Sequence, residues 1–456
     1  MKQKSNLLEG PIWKGILMFA MPILLGQIFQ QLYNTADALI VGRFKSPDEY
    51  SAVTSTGSLS FLLVGFFGGI SMGAGVVIAR YFGAKDIKNL RSAIHTTIIF
   101  GFLAGVLLTI LGVSLTPTML RWMDTDPDVL PYSIEYFRMY FFGIMGVSMY
   151  NLCMGILRAV GDSRHPLYYL IISSLVNIAL DLLFVGLFDW GVWSAALATS
   201  ISQIVSMILC LWHLFHVQSE YHLCWSEMRV DISHMKDIIR FGLPSGVQNS
   251  IISFANVIVQ TNINRFGSAT MSGCGTYAKL EGFAFLPITC FVMALSTFVS
   301  QNLGAKQYDR AKKGVRFSLI CAMIMAELVG VALIVFARPL MELFIKNNEA
   351  AVEIGIQQSY VESLFFGFLA FSHCLAAVLR GAGKPMIPLF VMLGTWCGLR
   401  VAYISILVPM IGKRWVIFSA YPVTWTLSSI IYLFFYLKTD WVHSFDKKKE
   451  SQQLRA

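Results

Sequence analysis

Residues 21–44 read MPILLGQIFQQLYNTADALIVGRF, and residues 243–266 read LPSGVQNSIISFANVIVQTNINRF. Set one above the other, Pro22 meets Pro244, Gln27 meets Asn249, Asn34 meets Asn256, and Arg43-Phe44 meets Arg265-Phe266. Each stretch belongs to an apolar segment long enough to cross a hydrocarbon core of about 30 Å. Each also carries polar side chains at helical spacing. Gln27, Gln30, Asn34 and Asp37 share one face of the first, with Tyr33 beside them; Asn249, Ser253, Asn256, Gln260 and Asn264 share one face of the second. An amide facing lipid has nothing to bond with, so both stripes must face protein or a wet cavity.

The correspondence continues outward from these two stretches. Gly83-Ala84-Lys85 matches Gly304-Ala305-Lys306, Leu157-Arg158 and Gly161 match Leu379-Arg380 and Gly383, and Pro166 matches Pro388. An ordered series of this kind is an internal repeat. Apolar stretches bounded by charged or Gly/Pro-rich turns predict helices near 13–43, 51–80, 91–116, 131–158, 165–188, 191–216, 236–264, 273–301, 315–337, 356–380, 387–410 and 415–438. Six segments fall in each half. An even number brings both halves in from the same side, so the repeats are parallel, related by a pseudo-twofold along the membrane normal. The expected fold is an all-α polytopic membrane protein of twelve transmembrane helices. Residues 1–230 form its N-terminal lobe and 231–456 its C-terminal lobe, the latter ending in a basic tail at Lys447 to Lys449.

Composition agrees. Of 456 residues, 56% are hydrophobic and 13% charged, where soluble domains carry about a quarter charged. This argues against soluble enzymes and secreted disulfide scaffolds. The net charge of +9 comes from short loops rather than a nucleic-acid-binding face. Alternate loops show a roughly threefold excess of Lys and Arg, which predicts a multi-pass plasma-membrane protein with both termini cytoplasmic. The eight cysteines are scattered without metal-like spacing and read as small core side chains. Gly381-Ala382-Gly383-Lys384 lacks the upstream glycine of a phosphate loop, and no catalytic constellation is present. Gly65, Gly68, Gly69, Gly73 and Gly75 predict close helix packing.

Charges inside the segments carry the functional signal. Asp37 lies on the first stripe. Ser173, Asn177 and Asp181 follow one another four apart on the fifth segment, and Thr199, Gln203 and Ser206 lie on the sixth. Two carboxylates placed close together do not both stay ionised without a partner, so a shared proton or a hard cation such as Na+ is expected there. The second half keeps the polar stripe and loses the acids: Val259 stands in the place of Asp37, and Tyr403 in that of Asp181. Glu281, Glu327, His373 and Arg400 remain, Glu281 and Glu327 being candidates either to recognise a cationic substrate or to pair with Arg400. Glu362 reads as interfacial. Pro22 and Pro244 each remove a backbone hydrogen bond inside a long helix and permit a kink.

These residues together resemble the multidrug and toxic compound extrusion (MATE) family of the MOP superfamily, in its DinF-like branch. The matching stretches are Pro22 to Gly42, Ala79 to Asp86, Leu157 to Ser163, Asn177 to Asp181, Ala195 to Gln203, Gln301 to Ala305 and Leu379 to Pro385. The resemblance implies a cofactor-free antiporter in a bacterial inner membrane. It would export amphipathic, often cationic drugs in exchange for H+ or Na+, as a monomer among membrane lipids. It implies Asp37, Asn177, Asp181 and Thr199 as the ion-coupling set, transient Na+ being the only metal, and bending of the first helix at Pro22. Gln30, Tyr33 and Asn151 match positions lining the N-lobe cavity; Asn34, Asn256, Gln260 and Glu281 join them as cavity candidates. The alternative is a flippase for a lipid-linked oligosaccharide, built on a related fold.

Overall fold

The computed structural model describes residues 7–122, 125–345 and 348–446, without the side chains of 54–62 and 253–254. The Ser253 side chain and the tail lysines 447–449 therefore lie outside the described residues. Among these residues every regular element is helical. The helices are α1 Ile12–Phe44, α2 Pro47–Gly83, α3 Ile87–Trp122, α4 Leu130–Phe142, α5 Ile144–Ala159, α6 Arg164–Asp181, α7 Trp193–His216, α8 Ile232–Asn264, α9 Ser268–Gly304, α10 Tyr308–Val335, α11 Ala337–Phe344, α12 Glu349–Glu362, α13 Phe366–Gly381, α14 Met386–Met392, α15 Arg400–Ile411 and α16 Trp415–Lys438.

These pieces form twelve membrane-crossing helices in two lobes. Ten stretches are long and apolar enough by themselves, and α4 with α5 makes an eleventh, bent by 44°. The bend falls at Gly143, where a Cβ would lie 2.0 Å from Ser200 Oγ, so α7 passes too close for any side chain. The twelfth span is α8, whose polar stripe lowers its hydropathy. A 3-10 turn, Ser363–Phe365, joins α12 to α13, and Glu327 of α10 accepts a hydrogen bond from the Gly367 amide beside it at 2.9 Å. Single turns of π-helix, Leu182–Leu187 and Leu393–Leu399, follow Asp181 and precede Arg400. Helix starts obey local chemistry. At α2, Ser46 and Glu49 form a capping box with Pro47 in the first turn.

By packing, the chain divides into two units. One holds residues 21–246; the other holds 7–20 and 247–446. The sequence division at 230/231 lies in the loop before α8, whereas the packing exchange occurs one residue before Pro22 and two after Pro244. Both proline-bearing helices thus belong partly to each unit. In the first unit, Gly69 and Gly73 of α2 lie against Gly246 and Gly242 of α8 with no room for a Cβ, the close approach that small residues permit. In the second, Arg310 donates to the carbonyls of Leu7, Glu9 and Gly10, holding the chain just before α1. The polar stretch between α7 and α8 is anchored on α3: His95 Nε2 lies 3.0 Å from the Cys224 amide, and Thr96 Oγ1 accepts from the Asp231 amide.

The repeat survives in backbone detail. Gly161 and Gly383 are both left-handed, at φ 87° and 74°, as are Lys85 and Lys306 at 54° and 57°. Asp162 N donates to Leu157 O as Lys384 N does to Leu379 O, and Asp86 N to Tyr81 O as Gln307 N does to Asn302 O. These are the same helix-ending hydrogen bonds formed twice. Phe102, Leu103, Leu107 and Ile110 on α3, and Ile320, Ile324, Leu328 and Val331 on α10, are exposed at helical spacing. Such bare apolar faces suit lipid rather than water.

Candidate functional site

The first unit brings its two intramembrane acids together. α1 presents Asp37, and the last turn of α6 presents Asp181. The two carboxyl groups lie within electrostatic reach of one another, and Asp181 and Asn177 are buried. Asn177 Nδ2 donates to Thr199 Oγ1 of α7 at 3.4 Å. Asp37 Oδ1, both Asp181 oxygens and Asn177 Oδ1 are buried without a well-aligned donor among the described residues, and neither carboxylate is in a salt bridge there. The site is therefore a cluster of oxygen acceptors short of positive charge. Chemically it suits a proton shared between carboxyls or an oxygen-loving cation. The π turn opening at Leu182 places the helix irregularity beside Asp181, where such turns often serve function.

Tyr33, hydrogen-bonded to Gln30, lies within electrostatic reach of both acids. So does Tyr136 of α4, next to Tyr140. Neither α4 tyrosine was marked by the sequence, because a Tyr in an aromatic-rich helix carries no signal of what it faces; their i, i+4 spacing is the one clue. Asn34 is exposed. Asn151 spends its amide on Val147 O at 2.8 Å within α5, while its own carbonyl accepts from Ser71 Oγ at 2.6 Å. Asn256 and Gln260 belong to the second unit and are exposed, Gln260 Nε2 donating to Asn264 Oδ1 at 2.9 Å. Val259 is buried in that unit's core with Ile263, Ile404 and Phe418.

The second unit gathers different charges. Arg400 is buried, donates to Thr424 Oγ1 at 2.9 Å, and lies 4.6 Å from the Trp396 ring centroid and 4.4 Å from that of Tyr421. Glu281 and Glu362 are its electrostatic partners. Glu362 was expected at the interface. It is instead fully buried, its Oε1 accepting from Gln358 Nε2 at 2.9 Å, because α12 packs against α9 and α16 and those helices cover it. Of the two candidate acids, Glu281 lies within electrostatic reach of Arg400 without a salt bridge to it among the described residues, and Glu327 serves the α13 start. His373 packs edge-on against Phe285 and Trp396.

Comparison with known proteins places this architecture. The MatE family profile matches residues 22–183 and 244–404, one match in each half. The probable multidrug resistance protein YoeA of Bacillus subtilis strain 168 is 27% identical over 401 residues, covering 86% of each chain. The probable multidrug resistance protein NorM of Thermotoga maritima is 25% identical, covering 87% of this chain and 86% of its own. Among solved structures, an outward-facing multidrug resistance MATE family transporter of the MOP superfamily superposes with a TM-score of 0.90. It is 22% identical and covers 98% of this chain and 99% of its own.

Proposed function

Because the chain belongs to the MatE family, whose members are transporters and not enzymes, we propose that it is a secondary active antiporter exporting amphipathic, often cationic drugs or toxins in exchange for H+ or Na+. The observation that carries this reading is the Asp37–Asp181 pair with Asn177 and Thr199, a buried acceptor cluster lacking a fixed cation.

In the proposed cycle the outward-open state admits an ion to this cluster. Neutralising the pair removes the repulsion between the carboxylates and lets α1 rearrange about Pro22, which favours substrate release. Ion release on the other side restores the charged pair and favours substrate capture. Coupling of this kind requires ion and substrate to bind the two access states unequally. The membrane potential contributes roughly 2.3 kcal/mol per charge per 100 mV. We place the protein in a bacterial inner membrane as a functional monomer, with both termini cytoplasmic, following the basic-loop asymmetry. A flippase for lipid-linked oligosaccharides would need a cationic cavity for pyrophosphate. The acids of the first unit argue against it.

The test is dye efflux from proteoliposomes under separately imposed H+ and Na+ gradients. The wild-type chain should respond to at least one gradient. Asp37→Asn should keep its monodisperse fold and lose gradient-driven efflux. Unimpaired transport by that variant would remove the coupling role.

A further inference from the structure

A second cluster of chemistry-bearing side chains lies apart from the acid pair, at the end of the first unit where α5 turns into α6 and α7 ends. Asp162 occupies that turn, His165 the first turn of α6, and His213 the last turn of α7. Asp162 Oδ2 lies 2.6 Å from His165 Nδ1 and 4.0 Å from His213 Nε2. The two imidazole rings sit 4.2 Å apart between centroids. One ligand-capable atom from each of the three residues falls within 4.8 Å of the others.

We propose that Asp162, His165 and His213 form a binding site for a divalent transition-metal ion of the zinc class. Two imidazoles and one carboxylate are a donor set that suits Zn2+ or Co2+ and disfavours Mg2+ and Ca2+, which prefer all-oxygen shells. Such an ion needs about 2.0–2.2 Å to each donor, so donors within 4.8 Å of one another need only small movements. The carboxylate is preorganised. Asp162 Oδ1 accepts from the backbone amides of Arg164 and His165, both at 3.2 Å, which fixes the group and aims Oδ2 at both rings. Asp162 is mostly buried, and His213 is nearly so, while the His165 side chain is 43% exposed. A path from solvent therefore exists, and a water can fill the fourth position.

The proton balance is explicit. At 2.6 Å from a carboxylate oxygen, His165 Nδ1 carries the proton of that hydrogen bond. The incoming ion takes its place. A neutral ring then moves its proton to Nε2, and a charged ring releases one proton to water, so binding weakens as pH falls. An occupied site ties the α5–α6 turn to the end of α7. These two points are distant in sequence, and occupancy should stiffen this end of the unit.

The experiment uses the full-length chain in detergent, freed of any affinity tag. Co2+ is the spectroscopic probe and Zn2+ the competitor. The expected result is one equivalent of Co2+ with the visible absorption of a low-symmetry nitrogen/oxygen site, displaced by Zn2+ and unaffected by excess Mg2+ or Ca2+. His213→Gln and His165→Gln should each weaken binding by more than about tenfold. His216→Gln, one turn along α7 and outside the cluster, should bind as wild type. Thermal midpoints without metal establish that the variants are folded; His165, being part-exposed, tolerates replacement most easily. Zn2+ should raise the wild-type midpoint and leave that of the double His165→Gln/His213→Gln variant unchanged. Failure of the wild type to bind one equivalent, or wild-type affinity in a folded double variant, would overturn the site.

Discussion

The glycine contact between α2 and α8 allows a test whose size follows from geometry. A Cβ placed on Gly69 would sit 2.2 Å from the Gly246 amide nitrogen and 2.4 Å from its Cα, whereas a Cβ on Gly68, one residue earlier, meets nothing within 4 Å. Ordinary contact begins near 3.4 Å, so Gly69→Ala forces the two backbones apart by about 1.2 Å. The obstacle is backbone, with no rotamer to swing away, which puts the cost at the top of the overpacking range, about 3 kcal/mol. Replacing Gly by Ala inside a helix returns about 1 kcal/mol of propensity. Gly68→Ala collects the same gain without the clash. The difference between the two variants is then about 3 kcal/mol, or about 6 °C or more in the unfolding midpoint of a unit this size. Scanning both variants in one detergent at one heating rate removes the dependence on scan rate. Midpoints for Gly69→Ala and Gly68→Ala within a degree of each other would refute the close backbone approach. Gly69→Ala should also slow transport, because the contact it breaks holds α8 to α2 immediately beyond Pro244, where the helix can bend.

The second unit makes its own prediction. Arg400→Met removes the hydrogen bond to buried Thr424 and a cation within electrostatic reach of Glu281 and Glu362, and should cost about 1–3 kcal/mol. Adding Glu281→Gln and Glu362→Gln should recover part of that loss in thermal inactivation, and an Arg400→Met single variant as stable as wild type would contradict this role of Arg400. Outside the membrane, burial by itself acts to raise the pKa of Asp162. The hydrogen bond and charge of His165, with His213 behind it, outweigh burial and hold the carboxylate below its ordinary range. A depressed carboxylate contributes stability that is present above its unfolded value and lost as pH falls through the folded one. The stability gap between wild type and Asp162→Asn should therefore shrink as pH falls below about 4. A gap unchanged down to about pH 3 in thermal scans would contradict the role given to His165.

The membrane class, the twelve helices and the parallel repeat were legible in the chain because they rest on local quantities. Transfer of an apolar stretch into lipid is a property of its own residues, and a helix satisfies its own backbone wherever it lies. The same holds for the stripe of Gln27, Gln30, Asn34 and Asp37, since helical spacing alone puts those residues on one face. Which partner a face meets is a different matter. It depends on how each helix is rotated and how closely two axes approach, and both are set by packing among many side chains at once. The chain marked Asp37 and Asp181 as a pair, and only the tertiary structure placed Tyr136 and Tyr140 beside them. It also buried Glu362 and joined Asp162 and His165 to His213. The sequence determined which residues the membrane would not leave unpartnered. Packing decided which partner each of them received.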